Sequence, residues 1–151
     1  MHPLPIPELI PALRVIVELG ELEDHGRTVT GHRRVVPITG GSVEGDFTGR
    51  ILTGGADWQI VRDDGTIEID SRYSAVSSDG DLLHIRAAGI RTGEPGVLAA
   101  LGRGEELDPS SYYFRTNIQL ESSDPELANR LYIGACARHR SRVVYTAYRV
   151  T

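Results

Sequence analysis

Apolar and polar residues alternate along much of this chain, and the alternation breaks where glycine and aspartate cluster. In IEIDSRYSAV, Ile67, Ile69, Tyr73 and Ala75 fall on one face of an extended strand and Glu68, Asp70, Arg72 and Ser74 on the other. YYFRTNIQLE divides as cleanly, with Tyr112, Phe114, Ile118 and Leu120 against Tyr113, Arg115, Asn117, Gln119 and Glu121. The prolines of HPLPIPELIP discourage an early helix, and LRVIVELGEL then reads as a first strand. The segments RDDGT and SSDGD lie between alternating runs. Asp-Gly tolerates the positive φ of tight turns, so residues 46–91 predict a meander of at least three antiparallel strands. SYYFRTNIQLE and SRVVYTAYRV, rich in aromatic and β-branched residues, add two more.

One helix is predicted, within SSDPELANRLYIGACAR. Ser123 or Asp124 serves as N-cap, Pro125 suits the first helical position, and Glu126 complements the positive end of the dipole. Short strands separated by frequent turn signals favour a sandwich or a barrel, and closing the sheet removes its edges. The expected fold is therefore all-β: a closed or nearly closed antiparallel barrel with one short helix. Residues 92–111 (TGEPGVLAALGRGEELDPSS) are too long for a hairpin connection, and their apolar centre argues against disorder. They read as a lid over the barrel mouth or an oligomerisation loop.

Length and charge narrow the picture. The 151 residues suit one domain, 1–151, able to bury a core without disulfides. A net charge of -5 and the lack of any basic run argue against nucleic acid or an anionic membrane as partner. No apolar run approaches the roughly 20 residues that span a bilayer, and the amino-terminal stretch is not of signal-peptide type, so a cytoplasmic setting is expected. Every basic residue other than histidine is arginine, which removes lysine Schiff-base and P-loop chemistry and favours an anionic or polarised ligand. Cys136, the single cysteine, reads as core. The histidines lack metal-ligand spacing, no GxSxG elbow occurs, and GHRR reads as a solvated turn, so neither metal nor organic cofactor is expected.

The densest candidate chemistry is TGGADWQI. Strand geometry sends Asp57 and Trp58 to opposite faces, but a bulge at Gly54 and Gly55 would turn both into one cavity, and an aspartate dried by an indole suits acid/base work. The polar strand faces allow two placements. Either they meet water, or they line a ligand-holding lumen in which Asp70, Arg72, Arg115 and Glu121 form an internal charge network. On the second, Asp57 and Glu121 are the candidate catalytic groups, and Trp58, Asp70, Arg72, Tyr113 and Arg115 the candidate ligand-binding ones. The function expected is a cofactor-free acid/base enzyme of cyclase, isomerase or hydratase type, acting on a small hydrophobic or anionic organic molecule. A non-catalytic binding protein and a structural or assembly protein are the alternatives.

GGSVEGDFTGRILTGGADW, the RYS strand followed by SSDG, and YYFRT leading to Glu121 together resemble the domain of unknown function 3237 family, from about Leu13 onward. The resemblance implies a calycin-type, lipocalin-like antiparallel barrel, often a homo-oligomer (here a dimer), with a cavity of unassigned purpose. The positions it carries over are Gly54, Gly55, Asp57, Trp58, Arg72, Tyr73, Tyr113, Phe114, Arg115 and Glu121. After ESSDP the chain departs from the family pattern: PELANR is shorter and lacks the two aromatics expected there.

Overall fold

The computed structural model describes residues 1–151. Ten strands follow in order: β1 (Leu9–Leu19), β2 (Glu23–Thr28), β3 (Gly31–Gly45), β4 (Gly49–Ile51), β5 (Gly55–Val61), β6 (Ile67–Val76), β7 (Leu82–Thr92), β8 (Tyr113–Glu121), β9 (Leu131–Arg138) and β10 (Arg142–Val150). Two helices interrupt them, α1 (Pro95–Gly102) before β8 and α2 (Pro125–Ala128) after it. All pairings are antiparallel, and β1 pairs with both β10 and β3, which closes an eight-strand barrel with two extra strands.

The 15-residue β3 carries the closure. Its first half pairs with β2 on one edge and β5 on the other; its second half pairs with β1 and β4. At the changeover Gly41 has φ +130°, and a Cβ there would lie 1.9 Å from the carbonyl oxygen of Ile16, so only glycine lets β3 lie this close to β1.

The hairpins at RDDGT and SSDGD form as the sequence predicts, joining β5 to β6 and β6 to β7. The short helix predicted within residues 122–138 forms over four of them, with Asp124 accepting from the Glu126 N–H, and the following LYIGACAR is strand β9, which the sequence reading did not separate from it. The unpredicted helix is α1, inside the long 92–111 segment.

The interior is filled at one end and hollow at the other. Val15, Val43, Ala75, Leu83, Ile85, Ile118 and Ala147 are fully enclosed in the filled part, and Leu127 from α2 and Tyr132 join the same core. Toward the end where α1 lies, inward positions pass to arginine, aspartate, glutamine and tyrosine, and a cavity of about 160 Å³ opens.

Candidate functional site

The cavity wall is built by strand parity. On β5 the inward positions are Asp57 and Gln59; on β6, Ile69, Ser71 and Tyr73; on β7, Ala87 and Arg91; on β8, Phe114 and Thr116; on β9, Cys136 and Arg138. Val36 and Arg34 of β3 and Tyr145 of β10 complete the ring, and Leu101 of α1 reaches in from the mouth. β5 and β9 stand four positions apart in the eight-strand ring, so Asp57 and Arg138 approach from opposite walls; β6 and β10 are likewise opposed.

Asp57 is 8 % exposed. Its Oδ2 accepts from Gln59 Nε2 at 2.8 Å and its Oδ1 from the Asp70 backbone N–H at 2.9 Å. Gln59 is itself oriented, because its Oε1 accepts from Arg34 Nη2 at 2.8 Å, which leaves the amide nitrogen facing the carboxylate. Burial pushes the Asp57 pKa above the ordinary aspartate value; the hydrogen bonds from Gln59, Asp70 and Ser71 oppose this, and burial prevails.

Three guanidiniums share the cavity with this one carboxylate. Arg91 is 5 % exposed, lies over the Phe114 ring at 5.9 Å, and leaves its Nε buried without a hydrogen-bond partner. Arg34 also has an unpartnered buried Nε. Arg34, Arg91 and Arg138 take part in none of the six ion pairs, all of which lie elsewhere. Burial and the neighbouring Arg138 and Arg34 charges bring the Arg91 pKa down to about 10, which still leaves it charged at neutral pH. One aspartate against three arginines gives the cavity an excess of positive charge.

Below this polar belt, the Tyr73 and Tyr145 hydroxyls hydrogen-bond to each other at 2.5 Å. Burial raises both phenol pKa values, so both are neutral at physiological pH. Cys136 beside them is pushed up to about 12 by burial, with its Sγ 3.8 Å from Thr116 Oγ1. No group of three or more His, Cys, Asp and Glu is placed to hold a metal ion.

Of the seven residues singled out from sequence, Asp57 alone lines the cavity. Trp58 is 38 % exposed on the outer wall. The expected bulge is absent: β5 pairs with β3 in unbroken register from His32–Val61 to Ile38–Gly55, so Asp57 and Trp58 keep opposite faces. Gly54 and Gly55 have another job, since Gly54 turns with φ +108° and a Cβ on Gly55 would sit 2.5 Å from the Arg72 carbonyl oxygen. Asp70 and Arg72 of β6, and Tyr113, Arg115 and Glu121 of β8, also lie on outward positions, Asp70 touching the site only through its backbone N–H. The internal network expected of Asp70, Arg72, Arg115 and Glu121 is not formed, because the apolar faces of these strands turn inward.

The charges that do enter were missed. Arg34, read as part of a solvated turn, is in phase with Val36 and Ile38; Arg91 is in phase with Ile85 and Ala87, and Arg138 with Tyr132 and Cys136. An arginine in phase with an apolar face at a strand end was the available signal.

The fold and cavity define a closed antiparallel β-barrel with a charged, partly apolar lumen. The family described as Protein of unknown function (DUF3237) matches residues 7–150, and the chain belongs to it. A UPF0311 protein of Rhodopseudomonas palustris (strain TIE-1) is 38% identical over 140 residues, 90% of this chain and 92% of that one. Among solved structures, a conserved protein of unknown function from Rhodopseudomonas palustris superposes with TM-score 0.90 at 35% identity, covering 98% of this chain and 99% of that one. A β-barrel-like protein from Acinetobacter baumannii superposes with TM-score 0.86 at 36% identity over 100% of both chains. An enzyme from Penicillium herquei shares the fold at TM-score 0.70 and 16% identity, again over 100% of both.

Proposed function

We propose that the lumen binds a small organic anion and that Asp57 transfers a proton to or from it, without an organic cofactor or metal. The observation that carries this reading is the cavity's charge: three arginines without a carboxylate partner face one buried aspartate. Arg91 is buried and Arg34 and Arg138 are half-buried, so water screens this excess of positive charge only in part, and a carboxylate or enolate neutralises it through bidentate hydrogen bonds. The apolar part of the wall, including Val36, Ile69 and Phe114, accepts the ligand's carbon body. Isomerisation, ring closure or addition of water across an activated double bond needs only positioning and one acid/base group, which is the equipment present. That the Penicillium herquei protein is an enzyme supports catalysis on this fold and says nothing of which reaction.

Phenylacetate, with its neutral partner phenylacetamide, tests the binding half by thermal unfolding. The acid is expected to stabilise the wild type and the amide to leave it unchanged; in Arg91→Met the stabilisation by the acid is lost. The catalytic half is read by NMR, as deuterium uptake from D2O at carbon by small keto acids. Asp57→Asn is expected to abolish uptake while retaining stabilisation by phenylacetate. Equal stabilisation by acid and amide, or uptake that survives Asp57→Asn, contradicts the reading.

A further inference from the structure

The reading of Asp57 and the arginines as one site leaves the pair of phenols beneath them without a role. β6 and β10 face each other across the lumen, so the hydrogen bond between Tyr73 and Tyr145 crosses the interior and forms the cavity floor. Two neutral hydroxyls that bond only to each other use one of their two protons. The other finds no acceptor in the protein: neither hydroxyl makes a further hydrogen bond to a side chain or to the backbone. Both residues line the cavity, and both are almost wholly buried, at 4 % and 5 % exposure. A buried donor without a partner is unfavourable, and this one faces the space a ligand would occupy.

Resting on the proposed function, we infer that the Tyr73–Tyr145 pair is an oxyanion-binding subsite, and that the ligand is a carbonyl compound that enolises and carries a separate anionic group for the arginines. The carbonyl oxygen accepts the free O–H at the floor. Asp57, on the wall between floor and mouth, takes a proton from the carbon next to that carbonyl. The C–H electron pair becomes the new C=C bond, the former carbonyl π pair moves onto oxygen, and the resulting enolate is held by the phenol. Asp57 then returns the proton to the same or another carbon, so the sequence is redox-neutral and needs no co-reactant. One phenol bonding a second lets the donor strengthen as charge develops on the oxygen, which is where a hydrogen bond accelerates reaction.

The test uses 4-hydroxy-3-nitrophenylacetate, whose carboxylate serves the arginines and whose phenol ionises with a visible colour change and mimics an enolate. Binding is followed in Asp57→Asn, where the amide stands in for the carboxyl that has gained a proton. The bound phenol is expected to ionise at lower pH than the free compound. Adding Tyr73→Phe or Tyr145→Phe is expected to erase most of that shift and weaken binding by about tenfold, the loss of one hydrogen bond to a charged acceptor. Phenylacetate, which lacks the phenol, is expected to bind both tyrosine variants within about twofold of their parent, a control on folding as well as on the arginine belt. An unshifted phenol in the parent protein, or a shift that survives both tyrosine variants, overturns the oxyanion subsite. If phenylacetate binding persists in that case, the anion site stands alone; if phenylacetate itself fails to bind, the proposed function falls with it.

Discussion

Burial and hydrogen bonding pull Asp57 in opposite directions, and burial prevails, so the folded protein holds this proton more tightly than the unfolded chain does. Protonation of Asp57 favours the fold, so its contribution is fully present below the ordinary value of 3.8 and is lost as pH rises through the elevated folded value. Chemical denaturation across this range is expected to show wild-type stability falling relative to Asp57→Asn, and a difference that stays flat or rises counts against a buried, desolvated carboxylate. Proton abstraction needs the ionised form, so deuterium uptake is expected to rise over the same interval. Arg91 is the counterpart. Its cost at neutral pH is the burial of an unpaired charge, and Arg91→Met is expected to raise unliganded stability by about 1 kcal/mol while removing stabilisation by phenylacetate. Asp57 was singled out through a glycine bulge that does not form; what turns it inward is plain alternation on β5, in phase with Gln59 and out of phase with Trp58. The arginines were not singled out, because residue type alone places an arginine in water, and only its phase with Val36, Ile85 or Cys136 says otherwise.

Alternation with polar residues made β6 and β8 readable, down to which face is inward. β9 was hidden because its middle, Gly134, Ala135, Cys136 and Ala137, contains no polar residue to reveal the period, and its proximity to a genuine N-cap at Asp124 extended the helix across it. α1 was hidden for a related reason. Val97, Leu98, Ala99, Ala100 and Leu101 are apolar on every side, so no amphipathic stripe announces a helix, and its first residue is a proline that reads as loop. Its packing accounts for that composition: Leu101 is buried against the cavity and Leu98 packs near Gly65 of the β5–β6 turn. Leu101→Ala is expected to cost about 2 kcal/mol, the lower end for a buried leucine because the cavity already borders it. It is also expected to speed ligand association and dissociation together, as measured by stopped-flow with the nitrophenol probe. Unaltered rates would show that α1 does not stand in the ligand's path.

The molecule divides into a packed half that supplies stability and a hollow half that spends some of it on unpaired charge. Ile118 lies in the packed half with no exposed surface, and Ile118→Ala is expected to cost about 2–5 kcal/mol in reversible denaturation without changing the anion preference of the cavity. Barrel closure was readable from short strands and hairpin turns, since a sheet of this length without a closing pair would expose two edges. The division into solid and hollow halves was not, because it depends on which inward positions coincide in height once β3 has bent at Gly41. Asp57 is buried in a cavity that it shares with arginines no other carboxylate pairs, and that is what most needs testing. The most direct measurement is a 13C NMR titration of the Asp57 carboxyl, assigned by its disappearance in Asp57→Asn, with and without phenylacetate. The account predicts a midpoint above the ordinary 3.8 that rises further when the anion binds. A midpoint at or below the ordinary value, unmoved by phenylacetate, would contradict it.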